Sequence, residues 1–294
     1  MEELSFLNRL LPELHFGPNT VLGPGDDCAA LDTGGPEWLL AAADHLIADV
    51  HFFSGSTPPD EAGAKLLNRN ASDIAAMGGT PRWALLTLAA NGCSNEELLQ
   101  FSLGAAGAAE ACGAALVGGD VSGLPQKGLS ATLTILGTVP KDELVTRSGA
   151  RPGEVLCVTG FIGNSLATGH HLHFRPRLAE GRILASGHFA GAMLDISDGL
   201  LLDAKRLSEM SKVRVELDPA RVPLREGATL PEALSDGEDY ELLFTVRPSR
   251  LAELQKRLSF AVIGRIMEGT PSVVVSPDGK DLLKGNCGYE HGKH

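Results

Sequence analysis

The sequence predicts a mixed α/β (α+β) protein of two domains. Apolar, strand-like runs recur along the whole chain, helical patterns separate them, and there is no internal repeat or low-complexity segment. With 294 residues, 43% of them hydrophobic and 21% charged, the chain can build two cores and is too apolar to stay disordered.

The opening "MEELSFLNRLLPEL" spaces Phe6, Leu7, Leu10, Leu11 and Leu14 as one face of an amphipathic helix, and its acidic start is unlike a signal peptide. A strand follows at "WLLAAA" (38–43). After "STPP" a helix is expected over 60–77, capped by Thr57 with Pro58 in its first position. Beyond a strand at "WALLTLAA" (83–90), Ser94 and Glu97 form a capping box for a helix reaching about Ala111. Further strands are "AALV" (114–117), "LSATLTILGTV" (129–139) and "EVLCVTG" (154–160). A third helix starts near Asp198 and runs to Met210, followed by strands at "VRVEL", "YELLFTV" (240–246) and "FAVIGRI" (260–266). Between two strands, "RSGARPGE" (147–154) has the composition of a linker, which divides the chain into 1–147 and 148–294.

Charge and composition exclude several function classes. A net charge of −12 leaves no basic surplus to neutralise nucleic-acid phosphates. No run approaches the ~18 apolar residues of a membrane span. Five cysteines without a CxxC pair fit reduced thiols in a cytoplasmic protein, and Cys28 reads as a small buried residue rather than a nucleophile.

The chemistry lies in the carboxylates. "GPGDDCAAL" (23–31) places Asp26 and Asp27 in a glycine turn. Asp44 closes "WLLAAAD", Asp120 closes "AALVGGD", and Asp195 and Asp198 stand in "MLDISDGL". Asp73 lies near the end of a helix, and Glu238 and Asp239 precede a strand. Carboxylates at the ends of strands sharing a sheet are displayed together, and hard oxygen ligands of this kind suit Mg²⁺ bridged to phosphates. The glycines of "VGGD" and "SDGL" let backbone N–H groups approach phosphate oxygens at a helix start. Ser197 can cap that helix or donate to a phosphate; both readings stay open. There is no GxxxxGK[ST], no HxE…PCxxC and no GxSxG, and a GxGxxG beginning at Gly23 is broken by Cys28. The residues therefore point to a metal-dependent, phosphate-handling site drawn from both halves of the chain. Lys65 and Arg69, on one helix face with Asp73, read as a surface ion-pair ladder. His170, His171 and His173 in "GHHLHF" lack acidic or Cys partners at ligand spacing, so neutral imidazoles are expected rather than a zinc site. The ending "EHGKH" reads as a frayed tail.

Seven stretches, spanning about residues 20–247, carry a family resemblance: "GPGDDCAAL", "DHLIADVHF", "NASDIAAMGGTPRWALLTLA", "LVGGDVSG", "TRSGARPGEVLCVTG", "LDISDGLLLDAKRLS" and "DGEDYELLFTV". In this order they resemble the thiamine-monophosphate kinases, of the ATP-binding superfamily shared with aminoimidazole ribonucleotide synthetase and selenophosphate synthetase. The resemblance implies an N-terminal sheet-and-helix domain that dimerises and a C-terminal α/β domain, with ATP held between them. It implies transfer of the ATP γ-phosphoryl group onto thiamine monophosphate, giving thiamine diphosphate and ADP. It places Mg²⁺ on Asp27, Asp44, Asp73, Asp120, Asp195 and Asp198, and the nucleotide on Gly119, Asp120, Arg147 and Ser197. Substrate contacts fall on His51 and Glu238, with packed histidine as the other reading of His51. No general base is required, because the acceptor phosphate is already an oxyanion; Arg147 would stabilise the phosphates. Asp27 is then the metal residue of the "GDD" turn and Asp26 the residue that holds the turn.

The chain departs from the family in places. Ala42 and Ala43 stand where hydroxyl residues usually precede the Asp at position 44, Asp49 replaces a glycine, and the segment between "VTGFIGNS" and "FRPRLAEG" is short. Around Asn286 an aromatic residue facing the thiamine ring is missing. These departures touch the acceptor more than the nucleotide. They leave room for a related ATP-dependent enzyme with another small-molecule acceptor, or for a non-catalytic nucleotide-binding homologue.

Overall fold

The computed structural model describes residues 3–275, together with 280, 281 and 288; Asn286, Cys287 and the "EHGKH" tail lie outside the described residues. The first half runs α1 (Glu3–Leu10), β1 (Thr20–Leu22), β2 (Ala29–Asp32), β3 (Glu37–Ile47), α2 (Pro59–Ala76), β4 (Thr80–Asn91), α3 (Asn95–Ala111), β5 (Ala115–Gly123) and β6 (Gly128–Pro140). Its strands form a six-stranded sheet in the order β1-β2-β3-β6-β4-β5. All pairs are antiparallel except β4 with β5.

Period-two alternation sets the faces of this sheet. Leu40 and Leu46, Ala84, Leu86 and Leu88, and Ala131, Leu133 and Ile135 are buried, and they pack with Leu66, Ile74 and Phe101 of α2 and α3 in one core. The opposite face exposes Ile47, Trp83 and Leu85. The two helices approach backbone to backbone. A Cβ on Gly63 would lie 1.9 Å from the Phe101 carbonyl oxygen, and one on Gly104 2.0 Å from that of Asp60.

The second half runs β7 (Val155–Val158), α4 (His170–His173), α5 (Leu178–Ser186), β8 (Ala190–Asp195), α6 (Leu200–Ser211) and β9 (Arg214–Leu217). It continues through α7 (Leu230–Ser235), β10 (Leu242–Val246), α8 (Leu251–Leu254), β11 (Ala261–Met267), β12 (Ser272–Val275) and β13 (Lys280–Asp281). The seven-stranded sheet is ordered β13-β12-β9-β11-β7-β10-β8, antiparallel except for β12 beside β9. Leu156, Leu194 and Leu243 face a core with Leu200 and Leu207 of α6, while Cys157, Met193 and Phe244 face another with Leu184 and Leu254. Burial on both faces explains why "LLFTV" is apolar except for Thr245, whose hydroxyl donates to Glu154. Ala76, at the end of α2, belongs to this last core, so α2 is shared by both halves.

Several boundaries differ from expectation. The N-cap of α2 is Pro58, and Thr57 instead accepts a hydrogen bond from the Phe53 N–H. The capping box at Ser94 and Glu97 is present. Asp44 and Asp120 lie inside strands rather than at their ends, because the ladders of β3 with β6 and β4 with β5 continue past them. α1 ends at Leu10, where Pro12 imposes a 3₁₀ turn over Leu11–Glu13. α6 starts at Leu200 with Gly199 as N-cap, so Ser197 does not cap it.

Candidate functional site

A turn, a helix end and a strand end meet where the halves adjoin. Asp27 comes from the turn before β2, Asp73 from the last turn of α2 and Asp195 from the end of β8; their carboxylate oxygens lie within 4.8 Å of one another. Burial, then the charges of Asp44, Asp195 and Asp27, push the Asp73 carboxyl well above the usual range. Burial followed by Asp27 does the same to Asp195, opposed by a 2.6 Å hydrogen bond donated by Ser72 Oγ. The cluster is a strained concentration of negative charge.

Cations and N–H groups brace it. Arg147 grips Asp27 through Nη2 at 2.8 Å and Nε at 3.3 Å, and its backbone N–H donates to the Asp26 carboxylate at 3.1 Å. Asp26 thus holds the turn, as expected, and also ties it to the segment entering the second half. Burial, then the Asp27 charge, raises its carboxyl to about 7. Asp198 pairs with Arg206 at 2.6 Å and donates its backbone N–H to Asp203. Burial lifts Asp203 to about 7 against the pull of Arg206. Asp44 is raised by burial, with Arg69 opposing and Asp198 and Glu238 adding to the rise.

A second cluster lies on the Glu238 side. Lys65 is fully buried and donates to Glu238 Oε2 at 2.8 Å and to the His51 carbonyl at 2.7 Å. It joins α2, the loop after β3 and the loop before β10. The expectation of a surface ladder for Lys65 and Arg69 is corrected here, because the second half covers this face of α2. Glu238 has φ 64° and Tyr240 φ 51°, both left-handed. The Glu238 N–H bonds to the Ser197 carbonyl, which joins that loop to the start of α6. His51 accepts the Ile47 N–H on Nδ1, so its ring also closes its own turn.

Gly119 and Asp120 stand apart. Asp120 lies on exposed edge strand β5, opposite Thr87, which alternates with buried Leu86 and Leu88. Its side chain belongs to the sheet face away from the helices, and β6 and β4 separate β5 from β3. Gly119 is required by close approach, since a Cβ there would fall 1.6 Å from the Leu86 carbonyl oxygen. The histidines of "GHHLHF" do not converge on one another as a ligand cluster among the described residues. His170 and His171 contact the carbonyls of Asp239 and Ser165, and burial lowers both pKa values.

Sequence reasoning missed Ser72, Asp203 and Arg206 as supports. Their signals were present, in Ser72 adjoining Asp73 and in the i, i+3 spacing of Asp203 and Arg206 on α6. The donor set suits Mg²⁺: three clustered carboxylates, oxygen only, carrying more negative charge than Arg147 can offset.

Residues 25–139 match the AIR synthase related protein family, N-terminal domain. Thiamine-monophosphate kinase of Escherichia coli O157:H7 is 33% identical, over 92% of this chain and 91% of that protein. This chain belongs to the thiamine-monophosphate kinase family. The Bacillus subtilis (strain 168) thiamine-monophosphate kinase is 30% identical over the full length of both chains. A solved structure, AaThiL complexed with AMPPCP and TMP, superposes with a TM-score of 0.86 at 29% identity, covering 99% of this chain and 97% of that one.

Proposed function

We propose that the protein is a Mg²⁺-dependent thiamine-monophosphate kinase, transferring the γ-phosphoryl group of ATP to the phosphate of thiamine monophosphate. The observation that carries this reading is the Asp27, Asp73 and Asp195 cluster, assembled from both halves of a chain with full-length kinase relatives. Mg²⁺ is held by these three residues, with Asp44, Asp120 and Asp198 as further ligands; when bound, it neutralises phosphate charge and aligns the reacting groups. Arg147 stabilises the nucleotide phosphates, and Gly119, Asp120 and Ser197 contact the nucleotide. His51 and Glu238 position the acceptor, with Lys65 fixing both. An acceptor phosphate is anionic near neutral pH, so relief of repulsion and in-line placement replace general-base catalysis.

Residues 1–147 and 148–294 form the two domains. The protein works as a cytoplasmic homodimer, its N-terminal halves pairing through the sheet face that exposes Trp83, Leu85 and Ile47. Asp120 shares that face, and its separation from the carboxylate trio within one protomer fits a role completed on assembly. Ala42 and Ala43 beside Asp44 favour, as a second reading, a related enzyme with another acceptor.

The test incubates purified protein with ATP, Mg²⁺ and thiamine monophosphate and quantifies thiamine diphosphate by chromatography. EDTA-sensitive product is expected. ATP binding without product would overturn the kinase reading.

A further inference from the structure

We propose that Arg69 is an anion-binding residue of the acceptor site, taking the phosphate of thiamine monophosphate on guanidinium N–H groups that the protein leaves unpartnered. The proposal rests on the acceptor reading above.

α2 buries two cations one helical turn apart, and their circumstances differ. Lys65 makes two short hydrogen bonds, at 2.7 and 2.8 Å, to groups of different loops. Arg69 has no such satisfaction. Its Nε and Nη1 are buried without a hydrogen-bond partner among the described residues, and Nη2 lies 3.5 Å from Asp44 Oδ1. That contact is long against the roughly 2.7–2.9 Å of a charge-assisted bond. Buried N–H groups are nearly always paired, and an unpaired guanidinium is among the most unfavourable groups to keep inside a protein. Such a group is retained where something outside the chain completes it.

The surroundings identify what that is. Arg69 lies among Tyr240, Asp44, Glu238 and Asp73, and near the like charge of Lys65. Its side chain keeps 13% exposure, while Nε and Nη1 themselves are buried. The planar N–H fork matches two oxygens of a phosphate. Arg147 occupies the Asp27 side of the cluster, whereas Arg69 lies on the Asp44 and Glu238 side, where the acceptor is placed. Ala42 and Ala43 carry no hydroxyl donors beside Asp44, and Arg69 supplies donors at that same edge.

The experiment compares wild type with Arg69→Met and Arg69→Lys. It measures thermal melts, calorimetric binding of thiamine monophosphate and of thiamine, and KM for each substrate. Removing charge-assisted bonds is expected to weaken thiamine monophosphate by about ten- to a hundredfold. Thiamine affinity and the KM for ATP stay within about twofold, and Arg69→Lys recovers only part of the loss. The melting temperature of Arg69→Met changes little, because removal of the unpartnered N–H groups offsets the loss of the long contact to Asp44. Equal weakening of thiamine and thiamine monophosphate, or a melt lowered by several degrees with phosphate recognition intact, would overturn the proposal. Inorganic phosphate separates this inference from the kinase reading. Thermal protection by phosphate that is lost in Arg69→Met supports the anion site even if no thiamine diphosphate forms; protection retained in the variant sinks it.

Discussion

Asp73→Asn probes the acidic cluster most directly. Two carboxylates 4.8 Å apart, the outer separation of ligand atoms in the trio, repel by about 3.5 kcal/mol at an effective dielectric of ~20. Asp73 faces two such neighbours, Asp27 and Asp195, and Asp44 adds the largest of the neighbouring charges acting on it. Burial and the neighbouring charges already raise the Asp73 and Asp195 carboxyls, which caps what neutralisation can gain. An asparagine removes the charge and offers an amide N–H₂ to its neighbours. The expected gain for metal-free protein at about pH 8 is on the order of 1–3 kcal/mol, at roughly 2–4 °C of melting temperature per kcal/mol. The assay is a thermal melt in EDTA and again in Mg²⁺. The variant should melt above wild type in EDTA, lose the upward shift that Mg²⁺ gives wild type, and turn over at least about a hundredfold more slowly. A variant melting several degrees below wild type in EDTA would refute the reasoning, because the carboxylate would then be a net stabiliser without metal.

Four further outcomes follow from the same geometry. Asp26 and Asp203 have carboxyls raised from 3.8 to about 7, so their contribution to stability is fully present below about 3.8 and lost as pH rises through about 7. Metal-free protein should therefore melt lower at about pH 8 than at about pH 5, as scanning calorimetry in EDTA can check. Lys65→Met removes the partner of a Glu238 side chain that is 27% exposed, so a loss of about 2–3 kcal/mol in urea unfolding is expected, below the full cost of breaking a buried pair. Adding Glu238→Gln should recover part of that loss in a double-mutant cycle. Asp120→Asn should sharply reduce kcat while leaving the melt unchanged, since the side chain is exposed. Trp83→Glu should shift the protein toward monomer in sedimentation velocity.

Much of the fold was legible because strands alternate or run continuously apolar according to whether one or both faces are covered. The capping box at Ser94 could be read for the same reason, since both partners lie within one turn. What could not be read depends on distant chain. Lys65 looks like a surface residue by local spacing, and its burial is decided by Glu238, 173 residues away. Ser197 has the composition of a helix cap, yet its carbonyl accepts the Glu238 N–H and the helix starts later, after Gly199. In the site, the motifs named six aspartates, and the fold clusters three of them, Asp27, Asp73 and Asp195. Asp120 was misplaced at a strand end because glycines predict a break, whereas pairing with β4 carries β5 through to Gly123.

The contact between α2 and α3 bears on how this protein can be engineered. Replacing helical glycine by alanine is a common route to added stability, usually harmless to activity. Here a methyl group at Gly63 or Gly104 would meet backbone carbonyl oxygen at 1.9 or 2.0 Å, which no side-chain rearrangement can relieve. The helix would have to shift, and it carries Lys65, Arg69, Ser72 and Asp73 as one rigid rail. A substitution chosen to strengthen the scaffold would thus misalign the acceptor and metal groups together without touching either.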